Sequence, residues 1–148
     1  MATWPYYLFA VAAGAMLPFQ FGINAQLASW VGSPVRATFV SFAVGTAVLL
    51  VAVLLFARGI SGERDLGAAP WWVWVGGLLG AFYVLGSVVT APRLGAAALF
   101  AFILAGQAVA SLAVDHFGWV GFAENPVTPG RLLGIALVAA GVAAVRFL

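Results

Sequence analysis

The sequence predicts an all-α integral membrane protein with five transmembrane helices in each subunit. Of its 148 residues, 65% are hydrophobic and only 7% are charged. The charges separate five apolar stretches, most of which reach the roughly 20 residues that a helix needs to cross a bilayer. We therefore predict a single transmembrane domain over residues 1–148. Its spans are expected at about 4–23, 37–57, 71–91, 94–114 and 131–148.

The first span contains Pro18, followed by Gln20 and Asn24, which lie four residues apart on one helical face. Two interpretations stay open at this point. Either Pro18 breaks the helix at membrane depth, as in transporters that hold substrate at broken helices, or the helix simply ends here and the amides reach interfacial water.

Glycine and proline mark the remaining joints. The second span begins after Gly32-Ser33-Pro34, since proline is tolerated in a first helical turn, and it ends at Arg58-Gly59, before the aqueous loop GISGERDLGAAP. Pro92-Arg93 stops the third span, and the fourth follows so closely that the two should form a helical hairpin. The fifth span is short, but arginines at both ends can extend outward to the headgroups.

The arginines are evenly divided between the two faces of the membrane. The chain has six arginines and no lysine. With alternating spans, the N-terminal side receives Arg58, Arg64 and Arg131, and the other side receives Arg36, Arg93 and Arg146. Because Lys and Arg in short loops set orientation, this tie predicts dual topology and an antiparallel homodimer of ten helices. All four carboxylates fall on the N-terminal side, so a bias toward N-terminus outside is the open alternative.

The distribution of reactive side chains excludes several classes of function. No Asp, Glu, His, Lys or Arg lies in the middle of a span, and the chain has no cysteine. No metal-ligand cluster, catalytic triad or phosphate-binding loop is visible, so we expect no enzyme, no metal and no cofactor. No basic cluster could follow a phosphate backbone, which argues against nucleic-acid binding. Asp115 and His116, at the end of the fourth span, are the nearest ionisable candidates; a solvated pair is the favoured interpretation, and a functional role is the alternative.

Uncharged polar residues are the candidate substrate contacts. The predicted set is Gln20, Asn24, Tyr83, Ser87 and Gln107. Tyr83 and Ser87 belong to a stripe of small and hydroxyl-bearing residues on the third span, which should face protein and not lipid. Gln107 lies near mid-depth in the fourth span, where it either contacts substrate or bonds a neighbouring helix.

Two glycines on the fifth span are the candidate dimer contact. Gly134 and Gly141 are seven residues apart and therefore share one face of the helix. Small residues permit close approach of two helices in a membrane. The alternative is that they pack within the subunit.

Several runs of residues resemble a known family. The run VTPGRLLGIALVAAGVAAV resembles the last helix of each half of drug/metabolite transporter superfamily proteins, and TAPRLGAAALFAFILAGQ resembles their third-to-fourth helix turn. The run LPFQFGINAQLA, followed by GSPVRATFVSFAVGT, resembles the small five-helix YdcZ-like branch. Larger relatives fuse two inverted halves, which implies antiparallel dimerisation of a lone half in the bacterial inner membrane.

One functional residue of related proteins is missing from this chain. In the related small multidrug resistance proteins, a carboxylate in the first helix couples protons to substrate. Here Gly14, Pro18 and Gln20 occupy that stretch, which argues against proton-coupled export of cations. We therefore expect a secondary carrier for a small neutral or amphiphilic solute, with a cavity shared by two subunits. A dual-topology channel and a non-transporting membrane or lipid-interacting subunit are the alternatives.

Overall fold

The structure, a computed structural model, describes residues 3–56 and 69–148. These residues form helices and connecting turns and no strand. Within these residues, four helices are long and apolar enough to cross a membrane. They are α1 (Trp4–Val31), α2 (Pro34–Phe56), α3 (Val75–Phe117) and α4 (Pro129–Phe147), with single 3-10 turns at Trp71–Trp74 and Trp119–Gly121. The predicted helix end at Arg58-Gly59 and the aqueous loop with Glu63, Arg64 and Asp65 lie outside the described residues.

Helix α1 is longer than the sequence predicts. It continues through Pro18 to Val31, eight residues beyond the predicted span. Pro18 removes one backbone donor from the ladder, but the helix carries no break there, and such prolines are tolerated in transmembrane helices. Gln20 and Asn24 therefore lie within a continuous helix, which contradicts both a break at Pro18 and a helix end in this segment.

The joint between α1 and α2 has the expected start signals. Gly32 adopts a left-handed φ of 70°, and the Ser33 backbone N–H donates to Ala28 O at 3.1 Å, as at a Schellman helix end. Pro34 then opens α2. The start predicted from Gly32-Ser33-Pro34 is thereby confirmed. The Arg36 guanidinium donates to Val31 O at 3.3 Å, which satisfies a free carbonyl at the end of α1.

Helix α3 is interrupted at Gly95 and not at the predicted stop. Pro92 lies inside the helix, whereas Gly95 has φ 74° and ψ 165°, a conformation that essentially only glycine adopts. A straight helix of 43 residues would be about 65 Å long, twice the thickness of the hydrocarbon core. The interruption thus falls between two segments that are each long enough for one crossing.

The chain divides into two compact units. The central unit is Phe19–Arg93, and the terminal unit combines Met1–Pro18 with Leu94–Leu148. The core of the central unit is small. It consists of Ala37, Val84 and Val88, against which Leu27, Ala28, Val31 and Tyr83 pack. Most other large apolar side chains of the described residues are exposed, which is the surface that a lipid-embedded protein presents.

Candidate functional site

A cavity of about 230 Å³, with a mostly apolar wall that includes three polar side chains, opens in the central unit. Helices α1, α2 and α3 all contribute to its wall. The lining residues are Gln20, Ser41, Phe42, Gly45, Thr46, Leu49 and Val84. An amide and two hydroxyls thus stand among apolar side chains, the usual composition of a small-molecule site. We call it the central-unit cavity.

Asn24 lies one turn beyond Gln20 on α1 and is 4% exposed. Its Nδ2 has no hydrogen-bond partner within the described ranges. An amide nitrogen can only donate, and a buried donor without an acceptor costs free energy, about 1–3 kcal/mol in water-soluble proteins. Such groups call for a specific explanation, and a bound ligand is one.

Tyr83 provides a second donor of the same kind. Its Oη is buried and finds no partner among residues 3–56 and 69–148. The ring packs edge-on against Phe21, with centroids 6.2 Å apart. Phe21 and Asn24 are three residues apart on α1 and share a helical face. Both unpartnered donors therefore belong to the region where α1 meets α3.

The other buried hydroxyls are already satisfied. Ser87 Oγ donates to Val84 O at 2.7 Å, and Thr38 Oγ1 donates to Pro34 O at 2.9 Å. In each bond, the acceptor is a backbone carbonyl of the helix that carries the hydroxyl. Asn24 and Tyr83 are thus set apart from their polar neighbours by their lack of a partner in the described part of the chain.

The structure places four of the five predicted contacts in the central unit and one elsewhere. Gln20 lines the cavity, and Asn24, Tyr83 and Ser87 lie wholly or partly buried on α1 and α3. Gln107 belongs to the terminal unit, where its side chain is exposed.

The sequence reasoning did not single out Ser41 and Thr46, which line the cavity from α2. A signal for Ser41 was available. Ser41 and Gly45 are four residues apart in an otherwise apolar run, and so form a short stripe of small residues like that on the third span.

The ionisable groups near the end of α3 are arranged differently from expectation. Asp115 forms an ion pair with Arg131 at 2.8 Å. His116 does not join it, because its Nδ1 accepts the backbone N–H of Val127 at 3.3 Å. The interpretation of Asp115 and His116 as a solvated pair is corrected accordingly. Within the described ranges, the buried polar residues are Asn24, Thr38 and Ser87, all of them uncharged.

In the described residues, no three His, Asp or Glu side chains cluster as metal ligands would.

Two glycines of α4, Gly134 and Gly141, have open space beside them. A Cβ built at Gly134 or Gly141 would meet nothing within 4 Å in the subunit.

The model of one family, described as "Putative inner membrane exporter, YdcZ", matches residues 5–144. That match covers nearly the whole chain. The chain belongs to the YdcZ family. It is 32% identical over 110 residues to the inner membrane protein YdcZ of Escherichia coli strain K12, an alignment that covers 74% of this chain and 73% of the relative. No solved structure matches the chain. The name of the family model also places the chain in the drug/metabolite transporter superfamily.

Family membership and four long apolar helices together make this chain a multi-pass inner membrane protein. The family description agrees with the sequence-based prediction of a membrane transporter.

Proposed function

We propose that this chain is the subunit of a secondary carrier that exports a small neutral or amphiphilic solute. The family description supports the direction of transport. The observation that carries the proposal is the pair of unpartnered donors, Asn24 Nδ2 and Tyr83 Oη. They lie on α1 and α3, two of the helices that line the cavity of about 230 Å³, through Gln20 and Val84. A solute with carbonyl, ether or hydroxyl oxygens would supply the acceptors that these donors lack.

The absence of buried charge in the described part of the chain argues for an uncharged substrate. A buried charged solute would require a compensating charge, and the buried polar residues described are amide and hydroxyl side chains. In this proposal Asn24 and Tyr83 donate to the substrate, Ser87 accepts through its hydroxyl oxygen, and Gln20 binds at the cavity wall. Gln107 is a separate candidate contact within the terminal unit.

Five membrane crossings fit this proposal better than four. Helix α3 is too long for one crossing. Its interruption at Gly95 leaves, on each side, a segment long enough for one span. With five crossings, the termini lie on opposite sides of the membrane. Arginines are then tied at three on each side, which supports insertion in both orientations.

Two oppositely oriented copies would form an antiparallel homodimer with a shared cavity. Alternating access in transporters commonly uses two inverted repeats that rock about a site between them. A lone five-span subunit supplies one such repeat, and its inverted copy supplies the second. The open glycine face of α4 offers a seam for that contact.

Dual topology is tested with a reporter at the C-terminus. We expect comparable fractions of molecules to expose the reporter on each side of the membrane, because the arginine count is tied. Two or three added arginines on one side should shift the population to one orientation, whereas the same number of added glutamines should not. A single orientation in nearly all wild-type molecules would rule out dual topology.

The transport proposal is tested with the purified full-length protein. A panel of neutral compounds is screened for thermal stabilisation, and stabilising compounds are then followed in proteoliposomes. We expect exchange that saturates with concentration, as a carrier requires. Flux that rises without saturation would indicate a channel. Binding with neither exchange nor flux would indicate a non-transporting subunit, and either result would overturn the carrier.

A further inference from the structure

A second cavity, in the terminal unit, has a different chemical character. It measures about 370 Å³ and lies between the end of α3 and the start of α4. Its walls are mostly apolar or small side chains, with an ion pair among them. The lining residues are Ala108, Ser111, Leu112, Asp115, Arg131, Gly134, Ile135 and Val138. We call it the terminal-unit groove. Gly134 also belongs to the proposed dimer seam, so a molecule bound in this groove would lie beside that seam.

The groove has one charged end and one apolar end. Asp115 and Arg131 form the charged end, and seven residues along each helix lead to Ala108 on α3 and Val138 on α4. At 1.5 Å per residue, the apolar part extends about 10 Å along the helices. Phe117 and Trp119 stack at 5.0 Å just beyond the charged end, and aromatic residues of this kind are enriched at the level of lipid headgroups.

The ion pair is held in place and yet accessible. Arg131 also donates to Asn125 O at 2.9 Å, and the Asn125 backbone N–H donates to Asp115 O at 2.7 Å. These bonds fix both partners against the loop between α3 and α4. The side chains of Arg131 and Asp115 remain 31% and 32% exposed, so part of each charge is free to meet a ligand.

We propose that the terminal-unit groove binds a zwitterionic phospholipid with a primary amine, as in phosphatidylethanolamine. The phosphate meets the guanidinium of Arg131, the ammonium group donates to the carboxylate of Asp115, and the first part of an acyl chain lies along Leu112, Ile135 and Val138. This lipid fits because its phosphate and ammonium groups are opposite in charge to Arg131 and Asp115. An anionic lipid would satisfy Arg131 but place negative charge beside Asp115, and a choline headgroup has no N–H to donate.

The test measures lipid retention on purified, delipidated full-length protein by native mass spectrometry. The probes are dioleoyl phosphatidylethanolamine, phosphatidylcholine and phosphatidylglycerol, each at the same concentration. We expect phosphatidylethanolamine to be retained about two- to five-fold better than phosphatidylcholine, the range for partly exposed charge contacts. Equal retention of the three lipids, or a preference for phosphatidylglycerol, would overturn the proposal.

Two variants separate the charge contact from the groove itself. Asp115→Asn should remove the preference for phosphatidylethanolamine over phosphatidylcholine. Ser111→Leu adds bulk in the groove while keeping both charged side chains, and should lower retention of phosphatidylethanolamine. Ala110→Leu, on the same helix but facing away from the groove, is the matched control and should retain the lipid like wild type. Unchanged retention in Ser111→Leu would place the lipid elsewhere, including the case in which a second subunit covers the groove.

Discussion

Replacing Tyr83 with phenylalanine is expected to make the protein more stable and a poorer transporter. The variant removes a buried hydroxyl that has no partner in the described residues and keeps the ring against Phe21. An unpaired polar group in the membrane costs about 1 kcal/mol, so the free energy of unfolding should rise by about that amount. If Tyr83 donates to the substrate, affinity should fall several-fold. Asn24→Leu, of similar volume, should behave in the same way.

This combination of effects distinguishes a binding site from a packing defect. Thr38→Val is the matched control, because its buried hydroxyl already donates to Pro34 O at 2.9 Å. Thr38→Val should leave transport unchanged without gaining stability.

Gln107→Ala tests the candidate contact in the terminal unit and should impair transport while leaving folding largely intact.

Stability is measured by unfolding in detergent without ligand, and transport as saturable exchange in proteoliposomes. A loss of stability in Tyr83→Phe would mean that the hydroxyl has a structural partner, in a second subunit for example. Unimpaired transport in both Tyr83→Phe and Asn24→Leu would show that these two donors do not bind the substrate.

The sequence predicts the joint between α1 and α2 better than the end of α1. Gly32-Ser33-Pro34 fixes the joint between α1 and α2, because glycine allows the left-handed turn and proline fits a first helical turn. Helix α1 runs eight residues beyond the predicted span, although Gln20 and Asn24 suggest an aqueous end. Within a helix the backbone bonds are internal, and one buried amide does not stop it.

The break in α3 is missed for a related reason. Pro92 is the conspicuous residue, yet a proline within a transmembrane helix is tolerated. The non-helical backbone conformation falls instead on Gly95, whose φ and ψ only glycine adopts at low cost. Nothing in the local sequence separates Gly95 from the many other glycines of the apolar runs.

Helical periodicity does not predict contacts between residues that are distant along the chain. The stripe on α3 correctly singles out Tyr83 and Ser87 as protein-facing, because helical periodicity relates residues on one helix. The ion pair of Asp115 with Arg131 spans sixteen positions and a loop. Only the packing of α4 against the end of α3 brings these two side chains together, so His116, the sequence neighbour, was the wrong partner to consider.

Substituting leucine for Gly134 or Gly141 is expected to weaken dimerisation by tenfold or more, about 1.4 kcal/mol, while leaving the subunit folded. Within the subunit, a Cβ at either position would meet nothing within 4 Å, so a side chain can begin there without a clash. Across a helix–helix seam the same side chain would hold two backbones apart, and the close contact that glycine allows would be lost.

Helix α4 supplies a control of the same design. Ala136 and Ala143 are also seven residues apart and exposed, and they lie about 160° around the helix from the glycine pair. Ala136→Leu and Ala143→Leu add bulk at similar depth and should leave the dimer intact. Dimer affinity is measured in lipid vesicles by energy transfer between labelled subunits at increasing dilution. If all four variants dimerise like wild type, the seam must lie on another helix. If the alanine variants alone dissociate, it lies on the opposite face of α4.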